Sequence, residues 1–439
     1  MVPRPDPVTS DPDLPARAAV VVIGGGIIGT STALALAEKG VSVCLCEKGE
    51  IGAEQSGRNW GWARIEGRDP REIPLAIEAQ KLWRGMNARV EGETGFRQPG
   101  VMYLDETEKD VARHEAWVEQ AKLYQLDARV LSSAEITRLM PGATRSWPGA
   151  LYSPTGGRAE PQKAAPAIAL GARRRGATIL TGCAVRGIET QAGRISGVVT
   201  EKGAIACDSV VLAGGAWSRL FCGNFGIEFP QLKVRASVMR TGPVSGAPEN
   251  AAGGVGFAFR KRLDGGYTIA NRGASTAEIV PDSFRLFFRY LPALRAQWND
   301  LQLRLGSRFV EEFRTARRWQ LDAVSPFEQT RILDPAPDDA LLDQARVTLG
   351  LIFPAFANVE ILDRWAGFVD VTPDVVPVIS PVAAVPGFFI ASGFSGHGFG
   401  IGPGAGRLMA DLVTGDPPIV DPTPFRYERF FDGSPTLIH

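Results

Sequence analysis

The spacing of hydrophobic positions changes several times along the chain, and each change predicts a different element. Residues 20–23 form a short, continuously apolar run, typical of a buried parallel strand, and they lead straight into glycines. A small-residue helix follows as far as Gly40, and residues 41–46 form a second apolar strand that ends at Glu47. Strand, glycines, helix, strand and acid in this order predict a βαβ unit that binds a dinucleotide.

Three glycines and one carboxylate carry the physical case for this unit. Gly24 lets the backbone turn tightly, Gly26 lacks the Cβ that would keep the main chain from a pyrophosphate, and Gly29 lets helix and strand pack closely. The helix N-terminus then offers free N–H groups to the phosphates. Glu47 lies 18 residues beyond Gly29, where it can accept the hydroxyl protons of a ribose and repel the 2′-phosphate of NADP.

The rest of the chain divides into two kinds of pattern. Helical spacing and capping signals predict helices over 74–91, 107–125, 132–141, 161–175, 282–291, 338–352 and 403–414, the last with Pro403 near its first position. Short apolar or alternating runs predict strands near 177–180, 184–189, 194–201, 208–213, 233–240, 254–260, 266–271 and 387–392. The strands before Gly214 and Gly393 again run into glycines, so we expect them to return to the first sheet. Residues 230–370 predict an antiparallel sheet with flanking helices.

Composition narrows the possible partners. The 439 residues exceed the size of one hydrophobic core, so two domains or interleaved lobes are expected. Lys and Arg together number 48, as do Asp and Glu, which indicates neither nucleic acid nor a polybasic membrane patch. Residues 1–17, rich in Pro and Asp, predict a flexible arm without an export signal. No apolar run reaches about 18 residues, so no transmembrane segment is expected, while peripheral contact with the inner membrane stays open.

The cysteines indicate a reducing compartment. There are five of them, an odd number without a framework spacing, which fits the cytoplasm. Cys44 and Cys46 share one face of a strand and have no CxxC motif or Cys/His cluster nearby. We therefore interpret them as small buried hydrophobic residues and expect no metal site.

Several motifs in order resemble the D-amino acid oxidase-like superfamily of FAD enzymes, which includes glycine oxidase, D-amino acid dehydrogenases, sarcosine oxidases and dimethylglycine dehydrogenases. They are the βαβ unit at 20–47, the stretches 56–62, 211–218 and 365–377, and the loop 393–403. The resemblance covers about residues 18–416. It implies an α/β fold, with a Rossmann-like FAD-binding domain (18–90, 150–229 and 371–439) interleaved with an antiparallel-sheet α+β substrate domain (91–149 and 230–370).

The resemblance also implies how FAD binds. Arg58 and Asn59 would supply donors along the flavin and pyrophosphate, Val185 would pack at the adenine, and loop 393–401 would run against the isoalloxazine. The residues expected to bind the cofactor are Gly24, Gly26, Ile27, Gly29, Glu47, Lys48, Ser56, Arg58, Asn59, Trp60, Val185, Ala213, Gly214, Trp217, Gly393, Gly396, His397, Gly398, Phe399, Gly400 and Ile401. Of the three histidines, His114, His397 and His439, only His397 lies in a cofactor-facing loop. We expect noncovalent FAD, with His397 at the reoxidation or substrate face.

The expected reaction oxidises the C–N bond of an amino acid or N-alkyl amino acid, D-configured or sarcosine-like, by hydride transfer to flavin N5. The imine then hydrolyses, and the electrons leave to oxygen or a quinone. Two carboxylate anchors of the superfamily are missing: residues 367–374 contain no arginine, and Gly400 occupies the position of a lysine.

Another group must therefore hold the substrate carboxylate. Arg64 is the first candidate, and Arg260 and Arg272 are fallbacks that could equally be solvated strand-edge residues. Trp60 and Trp62 could form an apolar or cation–π wall for an amine, or simply pack under the flavin loop. Asp370 could meet the amine, although a structural hydrogen bond is the simpler interpretation. His397, Arg64 and Trp62 are the candidate catalytic residues.

Two other functions stay open. A 2-hydroxy acid dehydrogenase of the same fold would need a base, and His397 could serve. The chain could also be the flavin subunit of a multi-subunit amine oxidase complex, which would add a partner subunit to the small-molecule substrate.

Overall fold

The computed structural model describes residues 3–273, 275–296, 298 and 301–438, so Met1 and Val2 of the predicted arm, and His439, lie outside the described residues. The strands are β1 Val20–Ile23, β2 Val43–Cys46, β3 Trp62–Ala63, β4 Val101–Asp105, β5 Arg129–Ser132, β6 Gly149–Ser153, β7 Gly157–Arg158, β8 Thr178–Leu180, β9 Val185–Gln191, β10 Arg194–Thr200, β11 Gly203–Ala206, β12 Ser209–Leu212, β13 Leu232–Thr241, β14 Ala251–Gly254, β15 Phe257–Lys261, β16 Tyr267–Ala270, β17 Ser275–Glu278, β18 Leu301–Arg304, β19 Ile361–Val371, β20 Val378–Pro381 and β21 Phe388–Ser392. The α-helices are α1 Ile27–Glu38, α2 Gln55–Arg58, α3 Ile73–Val90, α4 Glu108–Ala121, α5 Ser133–Leu139, α6 Pro161–Arg174, α7 Ser218–Asn224, α8 Pro281–Arg285, α9 Phe287–Ala296, α10 Ser307–Arg314, α11 Pro326–Gln329, α12 Asp339–Ile352 and α13 Gly398–Thr414.

Three distant parts of the chain build the first sheet. Its six strands lie in the order β20-β21-β12-β1-β2-β8, with β1 parallel to both β2 and β12 and only β20 antiparallel to its neighbour. The strands before Gly214 and Gly393 both return to it, as their apolar runs predicted. The four residues of β1 and of β2 are all buried, which agrees with strands covered on both faces.

Helices α1 and α13 lie on one face of this sheet and pack against each other at very short range. A Cβ on Gly402 would lie 2.8 Å from the Ile27 side chain, and one on Gly406 would lie 2.4 Å from the Ser31 backbone. The prediction that the last helix begins near Pro403 is wrong. The helix begins at Gly398 and contains Pro403 in its interior. Its N-terminus therefore reaches one turn further toward the cavity described below.

The second sheet is mixed rather than purely antiparallel. It has ten strands, in the order β18-β17-β13-β16-β15-β14-β4-β6-β5, with β19 also paired to β13. The pairs β14–β4 and β17–β18 are parallel, because strands from separate segments meet there without a hairpin. The predicted domain boundaries at 149/150 and 370/371 fall within β6 and β19, which both belong to this sheet.

The N-terminal arm has no helix or strand over residues 3–15 but is tied to the first lobe. The Asp6 N–H donates to the Gln162 carbonyl at 2.9 Å, and the Asp11 N–H donates to the Ile179 carbonyl at 2.8 Å. Two backbone hydrogen bonds and the partly buried Val8 and Leu14 oppose the flexibility that its composition indicated.

The five cysteines are buried and free, as expected for small hydrophobic residues. Within the described part of the chain, no helix is both long enough and apolar enough to cross a membrane.

Candidate active site

One large cavity runs between the two sheets. Its volume is about 1660 Å³, larger than a site for a single drug-sized molecule. The expected site residues that line it are Gly24, Gly26, Ile27, Glu47, Lys48, Ser56, Arg58, Asn59, Trp60, Trp62, Arg64, Val185, Ala213, Gly214, Trp217, Gly396, His397, Gly398 and Phe399. Four expected site residues do not line the cavity but pack behind the residues that do: Gly29, Gly393, Gly400 and Ile401.

The glycine turn forms one end of the cavity. Gly24 has φ +108°, and a Cβ there would lie 2.4 Å from the Ala213 carbonyl oxygen, so only glycine fits. A Cβ on Gly29 would lie 1.9 Å from the Gly24 carbonyl oxygen, which is the close helix–strand contact that the sequence predicted. Helix α1 begins here, and its first turn carries no acidic side chain. The Ile27 N–H donates to Ser56 Oγ at 2.8 Å, and the other N–H groups of that turn suit an anion.

Glu47 stands at the end of β2, beside the same turn. Its carboxylate accepts hydrogen bonds from the Gly25 N–H at 2.6 Å and the Gly49 N–H at 2.7 Å. Burial raises its pKa, while Lys48 and these two N–H groups oppose the shift. Lys48 itself pairs with Glu54 at 2.8 Å. A helix N-terminus, a turn without Cβ atoms and a carboxylate at the strand end together fit a dinucleotide such as FAD.

The side chains of Arg58 and Asn59 hold their own loop. Arg58 donates through Nε to the Ala53 carbonyl and through Nη1 to the Ala366 carbonyl, each at 2.9 Å. Asn59 donates to the Ser56 carbonyl at 2.8 Å and accepts from the Gly61 N–H at 2.7 Å. The groups expected to face the cofactor are thus engaged within the protein.

His397 lies directly before α13 and lines the cavity. Its Nδ1 is 3.1 Å from a carboxylate oxygen of Glu72, and Arg68 Nη1 is 3.1 Å from the same oxygen. Burial lowers the pKa of His397, and this outweighs the opposing effect of Glu72. With Glu72 held ionised by Arg68, the neutral imidazole carries its proton on Nδ1 and leaves Nε2 as an acceptor.

Aromatic side chains line the cavity around His397. This region, which contains the candidate catalytic residues, is called here the substrate end. The Trp62 ring meets Trp60 and Tyr103 edge to face, with both centroid distances 5.6 Å. Trp62 Nε1 is buried and has no hydrogen-bond partner among the described residues. A buried hydrogen-bond donor without a partner lowers the stability of the fold, so Trp62 Nε1 is suited to donate a hydrogen bond to a ligand atom.

The three arginines named as carboxylate anchors differ in their partners. Arg260 is buried in a two-point ion pair with Glu160, with N–O distances of 2.9 and 3.0 Å, and cannot serve. Arg64 and Arg272 line the cavity, half-buried, with guanidinium carbons 5.2 and 4.5 Å from the centre of the Tyr103 ring. None of the three is a solvated strand-edge residue.

Asp370 makes structural hydrogen bonds, which was the simpler interpretation of its place in the sequence. Its Oδ2 accepts hydrogen bonds from the Gly393 N–H at 2.7 Å, from Gln231 at 3.1 Å and from Ser392 at 3.2 Å. The carboxylate thus fixes the loop that enters α13, and it has little capacity left for an amine.

The sequence did not identify four residues that line the cavity or contact residues that do: Arg68, Glu72, Tyr103 and His114. Tyr103 is hidden in the apolar strand β4. His114 lies with its Nδ1 2.7 Å from Asp105 and lines the cavity. It precedes Trp117 by three residues, and both are wall residues, so the helical spacing of α4 was the available signal.

Comparisons with known proteins agree with this geometry. The family model described as FAD dependent oxidoreductase matches residues 19–412. L-amino acid deaminases from Proteus myxofaciens and Proteus vulgaris superpose with TM-scores of 0.94 and 0.93, at 39% and 36% identity. Each alignment covers 97% of this chain, and 97% and 100% of those chains.

More distant relatives also align over most of their length. Glycine oxidase from Pseudomonas aeruginosa is 25% identical, with 92% of this chain and 97% of the relative covered. The sarcosine oxidase subunit beta from Rhodobacter capsulatus is 24% identical, with 97% and 91% covered.

Proposed function

The chain belongs to the FAD dependent oxidoreductase family, and from that premise we propose that it oxidises the C–N bond of an amino acid to an imine. FAD is its cofactor, and the resemblance to amino acid oxidases and dehydrogenases, like the α/β fold, is confirmed. One observation carries the substrate proposal. The Arg272 guanidinium lines the same cavity as His397, lies over the Tyr103 ring, and has no hydrogen bond or ionic partner among the described residues.

Each wall residue has a distinct task in this proposal. Arg272 binds the substrate carboxylate, because a guanidinium can form two parallel hydrogen bonds to it. Trp60 and Trp62 exclude water and orient the carbon that carries the amine. His397 Nε2 accepts a proton from the substrate ammonium, which leaves the neutral amine. FAD, when bound, supplies the hydride acceptor at N5 and is held noncovalently.

The substrate class widens beyond the D-amino acids and sarcosine-like compounds that the sequence indicated. Two relatives above 35% identity are named L-amino acid deaminases, which supports a primary L-amino acid as substrate. The imine then hydrolyses to a keto acid and ammonia, and the electrons pass to oxygen or a quinone.

Anaerobic reduction of the bound flavin tests the proposal. The yellow holoprotein is mixed with D-, L- and N-methyl amino acids and with the matching 2-hydroxy acids, and absorbance near 450 nm is followed. We expect bleaching by at least one amino acid, and a loss of about 100-fold in the rate constant over Kd for Arg272→Met. Bleaching by hydroxy acids alone would replace the proposal with the dehydrogenase alternative, for which His397 Nε2 is a suitable base.

The third candidate is a flavin subunit within a larger complex. The relatives named sarcosine oxidase subunit beta favour it, since that name implies other subunits. Flavin reduction by amino acids that requires a co-purified second chain would support it, and reduction by the isolated chain would exclude such a requirement.

For localisation the proposal is a cytoplasmic protein with peripheral contact at the inner membrane. Helices α8 to α10 expose large aromatic side chains, with Phe288 85% and Phe313 72% exposed. The same segment carries exposed arginines, among them Arg285 and Arg304, which pair with Asp282 and Asp338, each at 2.9 Å. Aromatic and basic groups on one segment suit an anionic lipid surface. Sedimentation with vesicles containing anionic lipid, lost in Phe288→Ser, is the expected result; equal sedimentation with neutral vesicles would contradict it.

A further inference from the structure

The substrate end carries more positive charge than one carboxylate can balance. Four arginines line it, and two of them have carboxylate partners: Arg68 with Glu72 at 3.1 Å and Arg113 with Asp110 at 3.0 Å. Arg64 and Arg272 have no carboxylate partner within 4.0 Å among the described residues. Arg64 bonds only to a backbone carbonyl oxygen, that of Glu66.

Nearby carboxylates compensate these two charges only in part. Burial raises the pKa of Glu66, although Ser153, a backbone N–H, Arg64 and Arg68 oppose the shift. Asp105 lies 2.7 Å from His114. Burial lowers the pKa of Arg272, repulsion from Arg64 and Arg113 adds to that shift, and Tyr103 and Asp105 oppose it. An arginine nevertheless stays charged in a protein.

Arg64 and Arg272 are also held close to one another. Both guanidinium groups lie over the Tyr103 ring, so the two carbons are no further apart than the sum of their distances to it. This upper limit is within the reach of one ligand that carries a carboxyl group at each end of a short chain. The two residues come from different elements, the loop after β3 and the turn after β16, so they can hold two ends of a ligand.

We propose that the substrate is a dicarboxylic amino acid of the aspartate and glutamate type, with Arg272 on the α-carboxylate and Arg64 on the side-chain carboxylate. This inference rests on the proposed function for the reaction and adds the side-chain charge. A pair of charged hydrogen bonds gives about 10- to 100-fold discrimination over a neutral isostere.

The first test compares flavin reduction by each enantiomer of aspartate and glutamate with that by asparagine and glutamine. We expect the diacid to reduce the flavin about 10- to 100-fold more effectively than its amide. If the amides or norvaline reduce it equally well, the inference is overturned while the proposed amino acid oxidation stands. If no amino acid reduces it, the proposed function fails.

A binding measurement keeps the two failures distinct. Glutarate and butyrate cannot be oxidised by the proposed route, and each can be titrated into the holoprotein while the flavin spectrum and the melting temperature are recorded. We expect glutarate to bind about 10- to 100-fold more tightly than butyrate. Equal affinity would overturn the second carboxylate site whatever the enzyme oxidises.

Two variants assign the arginines. Arg64→Gln should reduce the diacid-to-amide ratio to about one, whereas Arg272→Gln should weaken both substrates and preserve the ratio. Arg145→Gln is the matched control, since Arg145 also lies over an aromatic ring, 5.3 Å from Trp147, but outside the cavity wall. An unchanged ratio in Arg64→Gln would contradict the assignment.

Discussion

The two ends of the cavity are built in different ways. At the end that contains the glycine turn, called here the phosphate end, the tightest contact joins backbone atoms: a Cβ on Gly29 would lie 1.9 Å from the Gly24 carbonyl oxygen. At the substrate end, side chains from distant segments converge on Tyr103, and Arg64 and Arg272 bring charges without carboxylate partners. The first end is therefore specified by local shape and the second by long-range charge placement, and substitutions can separate the two.

The largest effect on the free energy of unfolding is expected for an arginine that is buried in an ion pair, compared with one that has no ionic partner. Arg260→Met leaves Glu160 buried without its partner and should lower the free energy of unfolding by about 3–5 kcal/mol. Arg272→Met removes a charge that has no partner, so we expect a change within about 1 kcal/mol. Urea unfolding of the two holoproteins measures both. Equal destabilisation would show that Arg272 is structural and would remove the main support for its substrate role.

The same ion pair has a defined pH dependence. Burial alone would raise the pKa of Glu160, but Arg260 and its hydrogen bonds lower it from 4.5 to about 2. The folded pKa is below the unfolded one, so the stabilisation is present above pH 4.5 and disappears as the pH falls toward 2. The stability difference between wild type and Arg260→Met should shrink over that range.

Gly29→Ala tests the shape of the phosphate end. Its Cβ would lie 1.9 Å from the Gly24 carbonyl oxygen, so α1 must move away from β1 and carry the phosphate-binding turn with it. We expect a cost of about 3 kcal/mol, or more than about 100-fold in FAD affinity, measured by titration of apoprotein. Gly85→Ala is the control, because that helical glycine has nothing within 4 Å of its added Cβ. Normal FAD affinity in Gly29→Ala would show that the turn adapts.

The same contrast explains what the sequence could and could not predict. The tight turn at Gly24 and the close helix–strand contact at Gly29 could be predicted, because the pattern that identifies them is local to one βαβ unit. Arg260 lies within β15 and Arg272 lies two residues after β16, and neither neighbourhood in the sequence indicates whether the arginine has a partner. What separates them is Glu160, 100 residues away from Arg260, and no local pattern reports such a pairing.

The sequence also failed to predict where the last helix begins and which residue orients His397. Pro403 was placed at the start of the last helix because proline is common there, yet the fold begins the helix at Gly398. Glu72 orients His397 from 325 positions away. The motif around His397 identified the loop, but the partner that fixes its tautomer depends on how α3 packs.

The loss of His397, the proton acceptor in the proposed reaction, should have the next largest effect. Burial keeps its pKa below the usual 6.5, so Nε2 is free to accept a proton at neutral pH. The charged groups that face it are Glu72, Arg68 and Arg64. We expect His397→Gln to lower kcat/KM by about 100-fold with flavin content unchanged.

The pH profile separates a proton acceptor from a packing residue. In wild type, kcat/KM should be level at neutral pH and fall about tenfold per pH unit below the pKa of His397, because the protonated ring cannot accept a proton. The variant should lack this limb. An acidic limb that persists in His397→Gln would assign the titration to another group.

Val185→Ala has the smallest expected effect and tests whether the adenine is held by direct contact. Val185 is a buried wall residue on β9, whereas Val198 on the adjacent β10 is buried behind the wall. Each substitution removes similar apolar area and should destabilise the fold by about 1–2 kcal/mol. Only Val185→Ala should weaken FAD binding, by about fivefold, or about 1 kcal/mol, in a fluorescence titration of apoprotein. If Val198→Ala weakens it equally, the adenine site depends on the rigidity of the three-stranded sheet formed by β9, β10 and β11, and the phosphate end is then less local than its glycine pattern indicates.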